Sequence, residues 1–130
     1  AALVVGADTV VESPDGEVLE KPRDAAHAAA MLRALSGRSH RVHTGVALVL
    51  PHRGMAEHAF HVTTGVSFGE LPRGAVDAYV ATGDPMDKAG AYGIQGLAGT
   101  FVSGIEGCYY NVVGLPMHRL AAEGGALLER

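Results

Sequence analysis

Turn-forming residues divide the 130-residue chain into a definite order of strand-like and helix-like segments. An apolar run from Leu3 to Val11 precedes the turn Ser13-Pro14-Asp15-Gly16, and a short second run ends at Leu19. Proline presets φ and Asp-Gly tolerates positive φ, so residues 3–20 are predicted to form a β-hairpin. The whole chain follows the order ββαββα, a loop and then βα. This order predicts a mixed sheet in an α/β or α+β domain.

The later elements are predicted from helix and strand signals. Asp24 is placed to cap a helix that ends near Ser36, and Gly37 follows as a helix-terminating residue. Apolar residues at helical spacing mark the buried side of this helix, at Ala28, Met31, Leu32 and Leu35. The remaining predicted elements are strands over 39–50 and 57–68, a helix from Pro72, a short strand near 101–105 and a last helix from Pro116.

Composition excludes several classes of protein. Hydrophobic residues make up 48% of the chain and charged residues 18%, so it is not a disordered tail, and its length predicts one domain over 1–130. No apolar run approaches the roughly 20 residues that span a bilayer, so no membrane partner is expected. A net charge of −4 without a basic run excludes broad electrostatic binding to a nucleic-acid polymer. The single cysteine, Cys108, excludes an internal disulfide and favours a reducing, cytoplasmic compartment.

Asp8 is the polar residue that interrupts the first apolar run. A buried carboxylate is costly unless it is paired, hydrogen-bonded or bound to a metal, so Asp8 is a candidate metal ligand or general base. The alternative is an aspartate that caps a turn. The predicted hairpin brings Glu20 and Lys21 back near Asp8 and Thr9. A lysine there can hold a phosphate while a carboxylate holds Mg²⁺, unless the two side chains form only a surface ion pair.

The glycine-rich loop at 84–100 carries the densest set of candidate binding residues. It contains Asp87, Lys88 and Gln95, and glycine recurs at every third position, at Gly90, Gly93, Gly96 and Gly99. This spacing is neither a dinucleotide fingerprint nor a Walker loop, but glycine lets backbone N–H groups approach a ligand. An amide such as Gln95 donates and accepts, which suits the edge of a base. A flexible solvated loop is the alternative, although loops of this length are usually functional.

The lysines and the histidines help to distinguish between a phosphate-binding site and a metal site. Eight arginines accompany only two lysines, Lys21 and Lys88, and a compact ammonium fits tight sites that a guanidinium does not. Histidines occur in two pairs three residues apart, His40 with His43 and the pair at 58 and 61. Odd separations in strands direct the two rings to opposite faces, so these pairs do not predict a metal site.

These segments, taken in order, resemble the Maf family of nucleoside triphosphate pyrophosphatases, once called septum formation proteins. The resemblance covers essentially the whole chain and is carried by five motifs: Gly6-Ala7-Asp8-Thr9-Val10-Val11, Leu19-Glu20-Lys21-Pro22, Leu35-Ser36-Gly37-Arg38 with His43-Thr44-Gly45-Val46, the run from Gly83 to Gly96, and Asn111-Val112-Val113-Gly114-Leu115-Pro116. It implies a mixed α/β domain similar to the inosine triphosphate pyrophosphatases, with an elongated sheet flanked by helices and a cleft between two lobes. It also implies a homodimer.

The resemblance implies roles for the matching residues. Asp8 matches the proton acceptor of the family, and Thr9 and Gln95 match positions tied to substrate choice. Lys21 and Lys88 match lysines that line the phosphate site. The acidic residues that would hold Mg²⁺ or Mn²⁺ are Asp8, Glu20 and Asp87. The implied reaction converts dTTP, UTP or related and modified pyrimidine nucleotides to the monophosphate and pyrophosphate.

The family begins with a strand and a Ser-x-Ser-Pro-Arg-Arg loop that contacts the phosphates, and this sequence has no such segment. The domain is therefore expected to be truncated at its N-terminus. This expectation leaves an alternative function open, that of a catalytically impaired relative that binds nucleotide or acts as a regulatory module. An enzyme should lose turnover on Asp8→Asn yet still bind nucleotide, whereas a binding module has no turnover to lose.

Overall fold

A computed structural model describes residues 2–129, which form five strands and four helices. The strands are β1 (Val4–Glu12), β2 (Val18–Leu19), β3 (Ser39–Leu50), β4 (Ala56–Phe68) and β5 (Val102–Glu106). The helices are α1 (Ala25–Leu35), α2 (Arg73–Ala81), α3 (Tyr109–Val113) and α4 (Met117–Leu128). None of the helices in this range combines the length and the hydropathy that a membrane span requires.

The five strands form one sheet in the order β2-β1-β3-β4-β5, and all four pairings are antiparallel. β3 and β4 make the longest ladder, which runs from Ser39 opposite Ser67 to Leu50 opposite Ala56. With helices packed on this sheet, the predicted α/β class is confirmed. The sheet was predicted to be mixed, but its described pairings are all antiparallel because each successive long strand returns beside its neighbour.

The predicted N-terminal hairpin is confirmed, with Val11 opposite Leu19 and a second pair beside it. The Ser13 hydroxyl accepts hydrogen bonds from the backbone N–H groups of Asp15 and Glu17, at 3.2 and 3.0 Å, and Gly16 has a φ of +89°. These contacts stabilise the turn that the Pro-Asp-Gly sequence predicted. As a result, the chain beyond β2 returns alongside β1.

Helix α1 forms as its sequence signals predicted. The Asp24 carboxylate accepts a hydrogen bond from the N–H of His27 at 2.8 Å, which satisfies one of the free donors at the helix start. Gly37, just beyond the helix, has a φ of +67°. The predicted apolar side is buried, at Ala28, Met31, Leu32 and Leu35. Local capping and packing signals therefore agree over this segment.

One face of the sheet carries the core, which divides into two clusters. The α1 cluster packs the sheet residues Val11, Val42, Val66 and Phe68 against Leu32, Leu35, Val76 and Tyr79 of α1 and α2. The α4 cluster packs Val46, Leu48 and Leu50 against Leu127. On the opposite face, alternate residues of β3 such as Ser39, Arg41 and Gly45 are exposed within the described range. The helices therefore cover one face, as side-chain alternation along the strands allows.

A buried polar belt separates the two clusters. The two N–H bonds of the Asn111 amide serve three acceptors, the carbonyls of Val42 and Val62 and the Thr64 hydroxyl, at 3.1, 3.1 and 3.0 Å from the nitrogen. Asn111 and Thr44 are both fully buried. These hydrogen bonds fasten α3 to β3 and β4, and they place the end of α3 beside β1.

Helix α3 is not predicted from the sequence, since a five-residue helix is too short to show an apolar period. Its first two residues, Tyr109 and Tyr110, are 42% and 55% exposed, so they lie at the surface and not in the core.

Candidate functional site

A cleft of about 370 Å³ opens between residues 88–96 and the end of α3. This volume falls within the range of roughly 300–1,000 Å³ that is typical of small-molecule sites. Four residues that the sequence predicted to bind substrate line it together, namely Thr9, Lys21, Lys88 and Gln95. Apolar side chains complete the walls, contributed by Val11, Val42, Ile94, Val112 and Val113. The site therefore combines two ammonium groups, an amide and a hydroxyl with an apolar surface.

Thr9 connects β1 to the far wall of the cleft. Its hydroxyl lies 2.9 Å from the Thr44 hydroxyl and 3.3 Å from the carbonyl of Gly114, to which it can donate. Strand alternation directs Thr9 to the core face of the sheet, where the polar belt lies. These contacts fix the hydroxyl at the base of the cleft.

Lys88 is held by two carboxylates at the rim of the cleft. Its ammonium donates to the Asp84 carbonyl at 2.8 Å and to the Asp87 carboxylate at 3.0 Å, and it lies 3.3 Å from an Asp84 carboxylate oxygen. The hydrogen bond from Lys88 lowers the pKa of Asp87, and the same bond raises the pKa of Lys88. Both groups therefore stay charged over the neutral range.

Asp84 is fixed in turn by Tyr79 of α2. The Tyr79 hydroxyl donates to the Asp84 carboxylate at 3.2 Å. Burial, with the nearby Asp84 charge, raises the pKa of Tyr79 to about 12, so the phenol keeps the proton that it donates. Sequence reasoning missed this contact, because nothing in the spacing of residues 79 and 84 signals it.

Gly93 gives the Lys88 side chain the space it needs. A Cβ at this position would lie 2.7 Å from Cε and 2.9 Å from Cδ of Lys88, closer than real contacts allow. The glycine spacing predicts the close approach of a ligand, but at Gly93 the group that comes close is the aliphatic part of Lys88, a residue of the same loop.

Lys21 follows the hairpin and lies beside Thr9, as the predicted hairpin required. Its charge contributes a minor part to the lowered pKa of Asp87, so the two lysines act on the same region. The carbonyl of Glu20 accepts a hydrogen bond from the N–H of Gly90 at 3.2 Å. This bond attaches the glycine-rich loop to the segment that carries Lys21.

Asp8 lies outside the cleft lining, on the opposite face of β1 from Thr9. It is exposed and borders a shallow depression with Gly6, Gly45 and Ala59. The expectation of a buried Asp8 was therefore wrong, since the described helices pack on the other face of the sheet. Its predicted role as proton acceptor stays a prediction.

The predicted metal ligands are not gathered into one cluster. Among residues 2–129, no three His, Cys, Asp or Glu side chains form a group that could hold a metal ion. Glu20 is exposed after β2, and Asp87 pairs with Lys88. Mg²⁺ in phosphate-processing sites usually takes one or two carboxylates and completes its shell with water and substrate oxygens. The Mg²⁺ or Mn²⁺ assignment therefore stays a prediction.

The two histidines of each pair lie on opposite faces of their strand, as predicted. His40 is buried, whereas His43 bonds a Glu12 carboxylate oxygen at 2.7 Å and the Thr63 hydroxyl at 2.8 Å on the outer face. His58 bonds the Glu123 carboxylate of α4 at 2.7 Å. Sequence reasoning gave none of these contacts, because each depends on the register between strands or on helix packing.

Nearly the whole chain is similar to one family of known proteins. Residues 1–124 match the family model described as "Maf-like protein". Similar curated proteins include the "dTTP/UTP pyrophosphatase" of Symbiobacterium thermophilum, 59% identical over 118 residues that cover 91% of this chain and 59% of that protein. Proteins of the same name from Thermococcus gammatolerans and Clostridium perfringens are 59% and 49% identical, over 88% and 92% of this chain. The chain spans about 60% of the length of these relatives.

Proposed function

The chain belongs to the Maf family, and from this we infer that it takes part in hydrolysing dTTP or UTP to the monophosphate and pyrophosphate. The observation that supports this proposal most strongly is the convergence of Thr9, Lys21, Lys88 and Gln95 on one cleft. Similar proteins are named dTTP/UTP pyrophosphatases, which agrees with that chemistry.

The apolar part of the cleft suits the base. Val11, Ile94 and Val112 offer flat aliphatic contacts for a pyrimidine ring. Gln95 and Thr9 line the same space and supply donors and acceptors for its edge. A ring without matching polar groups would leave the Gln95 amide unpaired, which is how such a site discriminates.

The lysines suit the phosphates. Lys88 holds its ammonium at the rim against Asp87, whose side chain is 81% exposed. A triphosphate oxygen would compete with Asp87 for this ammonium, since both are anions and the carboxylate is free to move into solvent. With Lys21 nearby, the charge that develops on the leaving pyrophosphate would be stabilised in place.

A divalent ion is proposed to accompany the triphosphate. The predicted ligands are Asp87, Glu20 and Asp8, and Mg²⁺ needs only one or two carboxylates in a phosphate site. Asp84, which was not among the predicted ligands, bonds the same Lys88 ammonium as Asp87. Such an ion, Mg²⁺ or Mn²⁺, would neutralise phosphate charge.

Asp8 is proposed to accept the proton of the attacking water. The water oxygen attacks the α-phosphorus, and the bond to the oxygen that bridges to the β-phosphorus breaks. Pyrophosphate leaves with that electron pair, and the water proton passes to the Asp8 carboxylate. Asp8 is exposed on the opposite face of β1 from Thr9, so its carboxylate is accessible to solvent.

Pyrophosphate release from UTP and dTTP with Mg²⁺ tests this proposal, with Asp8→Asn and Glu57→Gln measured alongside. Glu57 is an exposed carboxylate of β4, and the control should retain turnover. We expect Asp8→Asn to lose about 100-fold or more in turnover, the usual contribution of a general base, while nucleotide binding persists. No turnover by the unmodified chain would contradict catalysis and leave a nucleotide-binding module, an alternative that the names of the relatives do not favour.

A homodimer and a cytoplasmic location are further proposals, both supported by the family resemblance, and the second also by the single cysteine. Sedimentation equilibrium of the chain tests the first. We expect the mass of two chains, and the mass of one chain at micromolar concentration would contradict it.

A further inference from the structure

The cleft loop, residues 88–96, is bent by two consecutive residues with left-handed backbone. Gly90 has a φ of +73° and Ala91 one of +67°. An L-residue such as Ala91 rarely adopts this conformation unless its surroundings impose it. The loop that carries Lys88 and Gln95 therefore depends on contacts with the rest of the molecule for its shape.

Tyr92 supplies the largest of these contacts. Between residues 89 and 93 it is the only residue with a side chain longer than a methyl group. It is 6% exposed, and its ring packs edge-on against Phe68 at 4.9 Å and His40 at 5.4 Å between centroids. Tyr92 therefore anchors the bend to the core of the sheet.

His40 forms a hydrogen bond with the hydroxyl of Tyr92. It lies on the central strand β3, is 1% exposed, and its Nε2 lies 2.6 Å from the Tyr92 hydroxyl. The Phe68 ring packs edge-on against His40 at 5.1 Å. A phenol and an imidazole buried together in an otherwise apolar cluster are costly unless they pair with each other.

The direction of the hydrogen bond between Tyr92 and His40 follows from counting which donors and acceptors each arrangement leaves unpaired. If Tyr92 donates to Nε2, the proton on Nδ1 is the only donor left over. If Nε2 donates instead, the hydroxyl proton and the Nδ1 lone pair are both left over, because Nδ1 has no hydrogen-bond partner among the described residues. The first arrangement leaves fewer buried polar groups unpaired, so Tyr92 donates and His40 accepts. Burial lowers the pKa of His40 to about 4, so the acceptor is present at neutral pH.

We propose that His40 is a positioning residue, which holds the Tyr92 hydroxyl and thereby fixes the bent loop that presents Lys88 and Gln95 to the cleft. His40 does not line the cleft, whereas Tyr92 does, so His40 acts on the cleft through its hydrogen bond to Tyr92 and through the Phe68 ring that packs against both. Only the kinetic consequence rests on the proposed pyrophosphatase function, and the effect on loop structure is independent of it.

Hydrogen exchange of backbone amides tests the structural part. The variants are Tyr92→Phe, which removes one oxygen, His40→Phe, which keeps an aromatic ring, and the double variant. Tyr110→Phe is the matched control, since Tyr110 is exposed on α3. We expect amides of residues 88–96 to exchange roughly tenfold faster in each single variant, with no further gain in the double variant. Amides of α1 and the control should exchange as in the unmodified chain.

Steady-state kinetics with UTP test the consequence. Tyr92→Phe should lower kcat/KM roughly tenfold through both a higher KM and a lower kcat, because Gln95 is proposed to bind the base and Lys88 to stabilise the charge that develops on the leaving pyrophosphate. Unchanged exchange of residues 88–96 in Tyr92→Phe overturns the proposal, even if His40→Phe fails to fold. Turnover absent from the unmodified chain counts against the proposed function and leaves the exchange result to decide this inference.

Discussion

The position of the Lys88 side chain in the candidate site depends on the absence of a side chain at Gly93. The Lys88 stem crosses above this residue, at a distance that no Cβ could tolerate. The glycine pattern predicted a functional loop, but a glycine spacing does not distinguish a ligand from a neighbouring side chain as the group that comes close. That distinction needs the path of the loop in space.

Replacing Gly93 by alanine should displace Lys88 from its two carboxylates. We expect nucleotide affinity to fall roughly tenfold, as when one charge-assisted hydrogen bond is lost. Titration calorimetry with a non-hydrolysable UTP analogue measures this. Gly74→Ala is the control, because that glycine in α2 has open space around it and should bind as the unmodified chain does. Equal affinity in Gly93→Ala would contradict the packing argument.

His40 also makes stability depend on pH. Its pKa is lowered to about 4 in the folded chain against about 6.5 when unfolded, so the unfolded state binds more protons between these values. Stability should therefore fall as pH drops from about 6.5 to 4, by on the order of 3 kcal/mol from this group. Urea unfolding at pH 7, 6, 5 and 4 measures the slope. A slope in His40→Phe as steep as in the unmodified chain would contradict this origin.

At the scale of elements, prediction succeeded where signals are local. The hairpin turn at 13–16 and the Asp24 cap of α1 each act within a few residues, so the sequence indicates them directly. Helix α3 was missed because its cause is distant: Asn111 fastens it to carbonyls on two strands. The burial of Asp8 was predicted wrongly for a similar reason, since exposure of a strand residue depends on what packs on its face.

Asn111 should therefore be the most sensitive position of α3. Substitution by alanine removes the side-chain donor that the Val42 and Val62 carbonyls share, while the Thr64 hydroxyl still accepts from the Cys108 N–H, and we expect a loss of about 3 kcal/mol in unfolding free energy. Tyr110→Ala, on the exposed side of the same helix, should cost less than about 1 kcal/mol. Denaturant unfolding of both variants measures the two losses of unfolding free energy. Similar losses in Asn111→Ala and Tyr110→Ala would contradict the special role of Asn111.

At the scale of the whole molecule, the cleft results from how the core is divided. The α1 and α4 clusters share one face of the sheet, the polar belt lies between them, and the loop at 88–96 closes one side. The sequence predicted which polar residues would meet, through the hairpin and the family motifs. It did not predict the carboxylate clamp on Lys88, which depends on the helical turn formed by residues 84–87, or the His40 anchor, which joins β3 to the cleft loop.

An NMR titration of the ¹⁵N-labelled chain with a non-hydrolysable UTP analogue tests the central claim, that this cleft binds a pyrimidine nucleoside triphosphate. We expect chemical-shift changes concentrated at Thr9, Lys21, residues 88–96 and residues 112–114, with UMP producing smaller changes near the lysines. Lys88→Met should weaken these shifts without altering the fold. Shift changes confined to surfaces away from the cleft, or none at saturating analogue, would contradict the account.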